Sequence, residues 1–236
     1  MESRSFVPYN YHHGSFFNKD ETGEVDTEIN PEKVKAVVIG AQPHGASVDN
    51  RFDFGKRVRV PYTREVFKCL EANGFLEEDS QYVFTNICPV VNPSIENYYE
   101  DIVQNEQVIN DHQQFLLNLS DMVDCPFFWA TGYCEANDSS ERMNGRKLEF
   151  YQIEFIQNFR NTTYRKLLTG STRKHYAMFG IGKKGFPLHP QGLRVSIENT
   201  ESKYNKLQRF QWVPGQDKCG AIVNNEKFSE GLWSDI

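Results

Sequence analysis

Apolar positions along the chain fall into short continuous runs separated by longer stretches of helical spacing. The first run is Val34-Lys35-Ala36-Val37-Val38-Ile39, closed by Gly40. A run of this kind, with one polar interruption, predicts a strand covered on both faces. Three more runs read the same way: Tyr82 to Ile87, Pro126 to Thr131 (stopped by Gly132), and His175 to Ile181. Helical patterns lie between them. Pro61-Tyr62-Thr63-Arg64-Glu65 opens one, with Val66, Phe67 and Leu70 as its apolar stripe and Gly74 as its stop. A second runs from about Ser94 to Leu119, with Ile102, Val103, Val108, Ile109, Phe115, Leu116 and Leu119 facing inward. A third, over residues 147–168, is basic and amphipathic through Leu148, Tyr151, Ile153, Phe155, Ile156, Phe159, Tyr164, Leu167 and Leu168.

Strands alternating with helices of these lengths imply right-handed crossovers. The expected fold is therefore α/β, with three α/β/α layers around a central, mainly parallel four-stranded sheet. Residues 1–30 are polar, aromatic-rich and irregular, and read as an N-terminal arm. Residues 31–236 read as a single domain, a reading that the total of 236 residues suits. The least patterned stretch is 195–236, where a final helix or hairpin with Trp212 buried is expected.

Composition narrows the class. With 39% hydrophobic and 25% charged residues there is enough apolar material for a core, which excludes wholesale disorder. The start, Met1-Glu2-Ser3-Arg4-Ser5-Phe6, lacks the apolar run of a secretory signal. No stretch approaches the roughly 20 apolar residues of a membrane helix. The expectation is a soluble monomer of the cytoplasm, or of the nucleus in a eukaryote, with no membrane partner. Five scattered cysteines, none in C-x-x-C spacing, read as reduced thiols, with no metal site and no cofactor.

Charge adds a partner. The net charge of −6 speaks against non-specific coating of nucleic acid. It is unevenly spread, however. No Asp or Glu occurs between Phe155 and Ile197, where Arg160, Arg165, Lys166, Arg173, Lys174, Lys183, Lys184 and Arg194 all lie. A second basic run is Arg51, Lys56, Arg57, Arg59 and Arg64. A charge run is ordinarily a solvated face, but a long acid-free stretch suits a polyanion.

Candidate chemistry sits just after, or at the ends of, the predicted strands, where open parallel sheets bind ligands. Gly40-Ala41-Gln42-Pro43-His44 follows the first strand. Gly40 permits a tight turn and close ligand approach, and Pro43 stiffens the loop that presents Gln42 and His44. Neither a G-x-G-x-x-G nor a Walker A pattern is present, so no nucleotide cofactor is implied. Thr85-Asn86 ends the second strand, and an Asn amide carries the donors and acceptor needed to read a pyrimidine edge. His189-Pro190-Gln191-Gly192-Leu193 follows the fourth strand. Its imidazole suits stabilisation of a developing anion, and its loop leucine suits a wedge between bases. Each motif alone is also compatible with ordinary strand-end packing.

Taken in order, the three motifs resemble the uracil-DNA glycosylase superfamily over roughly residues 34–195. That family carries G-x-(Asp/Asn/Glu)-P after the first strand, an Asn after an apolar second strand, and a late His/Asn-Pro-Ser motif followed by an intercalating residue. The resemblance implies a DNA glycosylase that hydrolyses the N-glycosidic bond of a flipped-out pyrimidine, uracil or a modified base, and leaves an abasic site. It implies Gln42 and His189 as catalytic residues, and Gly40, Ala41, Pro43, His44 and Asn86 around the substrate. Lys183, Lys184, Gln191, Gly192, Leu193 and Arg194 would meet the DNA. The departures are chemical. Gln42 stands where the family has a carboxylate or Asn, Gln191 replaces Ser or Thr, and His44 stands where some members have Tyr. Gln42 can orient water but cannot carry charge or accept a proton. Asp49 and Asp53 are the nearest carboxylates that could compensate. A non-catalytic nucleobase- or nucleic-acid-binding module on the same fold is the alternative. A different hydrolase or transferase on a doubly wound fold is a third, since fold does not fix function.

Overall fold

The computed structural model describes residues 10–11, 15–18, 25–26, 29–41, 61–77, 79–91, 98–132, 142–143, 146–147, 149–181, 187–188, 207–212 and 221–222. Along the chain the elements are β1 (Asn10–Tyr11), β2 (Ser15–Asn18), β3 (Val25–Asp26), β4 (Val34–Gly40), α1 (Pro61–Ala72), β5 (Gln81–Asn86), β6 (Val90–Val91), α2 (Tyr98–Gln104), α3 (Glu106–Met122), β7 (Phe127–Trp129), β8 (Arg142–Met143), β9 (Arg146–Lys147), α4 (Phe150–Gly170), β10 (His175–Ala177), β11 (Gln208–Arg209), β12 (Gln211–Trp212) and β13 (Ala221–Ile222).

The main sheet has seven strands in the order β11-β10-β7-β4-β5-β2-β3. Its centre, β10-β7-β4-β5, is parallel and consists of the four strands expected from the apolar runs. The four-strand count is corrected by antiparallel edges: β11 on one side, β2 and β3 on the other. The edge strands β2 and β3 come from residues read as an arm, and β11 from the poorly patterned tail. They are two to four residues long. That is too short for a period-two signal, and their pairing partners are distant in sequence. Three two-stranded pairs, β1–β6, β8–β9 and β12–β13, complete the ladders among the described residues.

Crossover handedness assigns the layers. The step from β4 to β5 moves one way across the sheet, while the steps from β5 to β7 and from β7 to β10 move the other way. Right-handed connections therefore put α1 on one face and α3 and α4 on the opposite face. The buried side chains agree. Ala36, Val38, Tyr82, Phe84 and Phe128 pack with Val66, Cys69 and Leu70 of α1. Val37, Ile39, Val83, Phe127 and Trp129 pack with Leu116, Leu119, Tyr164 and Leu167. Neighbouring residues of one strand thus serve two cores, which is why these strands read as continuous apolar runs.

Local chemistry sets the helix bounds. Pro61 stands at the first position of α1, where its missing N–H costs nothing. Gly74, at φ 73°, ends that helix. Its N–H donates to Glu71 O at 3.0 Å and the Phe75 N–H to Leu70 O at 2.9 Å, the paired bonds of a Schellman turn. The single helix expected over 94–119 is instead α2 and α3, parted at Asn105. The Asn105 side-chain amide donates to Asp101 O at 2.8 Å, competing with the helical backbone for that carbonyl. In α4, Ile153, Ile156, Tyr164 and Leu167 are buried as expected, whereas Tyr151 and Phe155 point outward. Both make edge-to-face contacts with Tyr99 of α2. In the tail Trp212 is partly buried against the α3/α4-side core.

Cys69, Cys88 and Cys125 are buried thiols outside any disulfide. Burial pushes each thiol up to about 12. Thiolates are the reactive species, so these three are expected to resist maleimide at pH 8 in the native protein. Mass spectrometry should then find at most two of the five cysteines modified before unfolding and all five after it. Rapid native labelling of Cys69, Cys88 or Cys125 would contradict the packing. Among the described residues no helix is long and apolar enough to cross a membrane. Among the same residues no cluster of three or more His, Cys, Asp or Glu side chains is arranged to hold a metal ion.

Candidate functional site

In the parallel centre of the sheet, β4 lies between β5 and β7, and the connections that leave β4 and β7 pass over opposite faces. The carboxyl ends of strands at such a reversal are the place where doubly wound sheets bind ligands. The residues at this edge are Gly40, which ends β4, with Ala41 after it; Asn86, which ends β5, with Ile87 and Cys88 after it; and Ala130 to Gly132 after β7.

Backbone bonds carry the pairing past the strands. Ile87 N–H donates to Gly40 O at 2.9 Å, Cys88 N–H to Ala41 O at 3.0 Å, and Ala130 N–H to Ile39 O at 2.9 Å. The carboxyl end of β4, through Ala41, is therefore tied to both neighbouring strands. Gly40 and Asn86 are register partners on parallel strands, so they share one face of the sheet. The alternation puts that face on the α1 side, since Ile39 and Ile87 belong to the α3/α4-side core. Gly40 contributes no side chain there. Asn86 is half-buried, and its side-chain amide makes no hydrogen bond with any described residue.

Two buried side chains from the opposite layer brace this edge. His112 of α3 is fully buried, and its Nε2 lies 2.6 Å from the carbonyl oxygen of Asn86. A carbonyl only accepts, so Nε2 carries the proton. The Thr85 hydroxyl oxygen lies 3.4 Å from the same nitrogen, and the imidazole stacks on Phe115 with centroids 5.7 Å apart. Arg160 of α4 is 2% exposed and donates from Nη1 to Gly132 O at 3.1 Å. Gly132 has φ 69°, a conformation that favours glycine. The Arg160 guanidinium also lies 5.5 Å from the centroid of the Tyr98 ring. Burial pushes the Tyr98 hydroxyl up, and the guanidinium pulls it partly back. Thr131 shares a short hydroxyl–hydroxyl hydrogen bond with Tyr164, whose ring meets Trp129 edge-on.

The structure thus brings Gly40, Ala41 and Asn86 together at one edge. Gln42, Pro43 and His44 lie outside the described residues, as do Lys183, Lys184, His189, Gln191, Gly192, Leu193 and Arg194. The nearest described point to the late motif is Leu188, whose N–H donates to Gly180 O at 3.0 Å. Gly180 follows β10, so Leu188, the last described residue before His189, lies on the same carboxyl side of the sheet.

The acid-free basic stretch is divided by the fold. Arg160 is a buried residue of the edge just described, not a surface charge. Arg165 is exposed, but it lies with Lys166 toward the C-terminal end of α4. Arg173 and Lys174 immediately precede β10 at the amino edge of the sheet. Arg173 is committed there to Asp124 and to Ser120 O. The five described basic residues from 160 to 174 therefore do not form one face, and Lys183, Lys184 and Arg194 lie outside the described residues.

The sequence patterns did not single out His112 or Tyr98, and they gave Arg160 only as a charge of the basic stretch and Tyr164 only as an apolar position of the third helix. His112 and Arg160 did leave a trace, because each occupies an inward position on a helical stripe: 109, 112, 116 and 119 in one helix, 153, 156, 160, 164 and 167 in the other. A polar residue on such a stripe must be buried and must find partners.

These features define an α/β protein with an open, doubly wound sheet and a preorganised polar edge at its switch point. Compared with protein-family models, curated proteins and solved structures, the chain matches none.

Proposed function

We propose that this protein is a DNA glycosylase that hydrolyses the N-glycosidic bond of a flipped-out pyrimidine. The observation that carries the reading is the register of Gly40 with Asn86 at the carboxyl edge of the sheet. It sets Gly40, the residue that opens the first motif, beside Asn86, whose amide makes no hydrogen bond with any described residue. An amide held there is able to pair with the Watson–Crick edge of a uracil-like base. The order of the motifs supplies the remaining roles. His189 donates to the pyrimidine O2 as charge builds on the departing base. Gln42 orients the attacking water through its amide oxygen. Lys183, Lys184 and Arg194 neutralise phosphates, and Leu193 fills the gap left by the flipped nucleotide.

The experiment is an excision assay on duplexes containing uracil, hydroxymethyluracil or bulky cytosine derivatives, read as abasic sites. On the substrate that is cleaved, His189→Ala is expected to lose about 10²–10³ in rate, the usual effect of removing one such donor. Gln42→Asp is expected to retain or raise the rate, because it restores a charge opposite the sugar cation. An inactive panel, or a His189→Ala protein of full activity, would remove the catalytic reading.

Gln42 specifically favours a second reading, a nucleobase-binding module that uses the same edge without chemistry. It predicts saturable binding of base-containing duplexes with no abasic product, and binding that Asn86→Asp weakens.

A further inference from the structure

The geometry points to His112 as a positioning residue for base selection: by holding the Asn86 carbonyl from behind, it fixes the direction of the Asn86 side-chain amide. This inference rests on the reading of Asn86 as the base-reading residue.

The argument starts from what the end of a strand lacks. On the outer side of β5, the antiparallel ladder with β2 runs from Gln81 to Phe84 and stops there among the described residues. On the inner side, the partner of Asn86 is Gly40, which gives no side chain to lean against. An amide at such a position ordinarily samples several rotamers, and a loosely held amide discriminates poorly between an acceptor and a donor on a base edge. His112 removes that freedom at the backbone. Its Nε2–H lies 2.6 Å from the Asn86 oxygen, and the same nitrogen is 3.4 Å from the Thr85 hydroxyl, so one ring engages both residues of the second motif. The ring itself is fixed by complete burial and by stacking on Phe115. The contact comes from the α3 layer, and Asn86 presents its side chain on the α1 side. A ligand can therefore occupy the edge without displacing the brace.

The test compares His112→Leu, which removes the donor, with His112→Gln, which restores an N–H at similar reach, both in the full chain. The first readout is the Asn86 side-chain amide pair in the ¹⁵N spectrum, assigned by its absence in Asn86→Asp. In His112→Leu that pair should shift and broaden, and in His112→Gln it should stay near its wild-type position. The second readout is the ratio of excision rates for uracil and cytosine in otherwise identical duplexes. It should fall about tenfold in His112→Leu and recover in His112→Gln, in line with the discrimination that one good base-edge contact provides. An Asn86 pair unchanged in His112→Leu overturns the inference, and so does an unchanged base ratio in an active enzyme. If no base is excised by the wild type but the Asn86 pair responds as described, the glycosylase reading fails and the positioning role stands. If His112→Leu does not fold, the scalar coupling across the hydrogen bond from His112 Nε2 to the Asn86 carbonyl carbon decides on the unaltered protein, and its absence overturns the inference.

Discussion

Acid is expected to begin destabilising this protein above the pH at which its carboxylates titrate, with about 4–5 kcal/mol lost to one histidine between pH 6.5 and pH 3. His175 opens β10 and is buried beneath α4. Its Nδ1 accepts the Trp129 indole N–H at 3.0 Å, which leaves the proton of the neutral ring on Nε2. That second nitrogen is buried and makes no hydrogen bond among the described residues. A cationic ring there would have to give up its bond from Trp129 and sit close to Arg209. Burial, and then the charge of Arg209, lower the His175 pKa from 6.5 to about 3. The sign follows directly. As pH falls below 6.5 the unfolded chain takes up a proton that the native state refuses, so stability present at neutral pH is lost steadily down to about pH 3 and no further below it. One such proton gives a slope of about 1.4 kcal/mol per pH unit. Urea unfolding at half-unit steps from pH 7.5 to 4.5 measures it. His175→Asn keeps an acceptor for Trp129 but does not titrate, and should flatten the profile by that slope. Equal slopes in the two proteins would show that His175 is not buried neutral.

Removing the Arg160 side chain is expected to cost about 3–5 kcal/mol, the range for breaking a buried, hydrogen-bonded charge and leaving a cavity. The guanidinium is the charged group bound to Gly132 O, and it packs against Tyr98. Arg160→Ala would leave both without it at a buried position. Arg165 lies five positions on in the same helix and is exposed. Arg165→Ala should change stability by about 0.5 kcal/mol or less. Chemical unfolding of the two variants side by side gives the comparison. The same pair tests the division of the basic stretch. If DNA binds, neither substitution should change the slope of log K against log salt by the roughly 0.9 that loss of one phosphate contact produces. Equal and small stability changes would put Arg160 back on the surface.

The sequence legibly encoded the parallel centre of the sheet. Strands buried on both faces must be apolar at nearly every position, so β4, β5, β7 and β10 announced themselves without partners. The ends of α1 were equally plain, because Pro61 and Gly74 act through their own backbone. Asn105 shows where local reading stopped. The apolar spacing from Ile102 to Leu119 continues through it, while its amide bonds Asp101 O where the two helices part.

At the site, the sequence by itself determined which short segments follow the parallel strands: Gly40-Ala41, Thr85-Asn86, and the stretch beyond Gly180. Those assignments rest on hydrophobic periodicity and glycine stops, which are properties of neighbouring residues. Only the tertiary structure decided that Gly40 and Asn86 stand in the same register, that His112 and Arg160 brace the edge from behind, and that the basic stretch is split between a buried arginine and the far edge of the sheet. Each of these is a contact between residues tens of positions apart. Strand order, crossover face and helix direction fix such contacts jointly, and no window along the chain contains them.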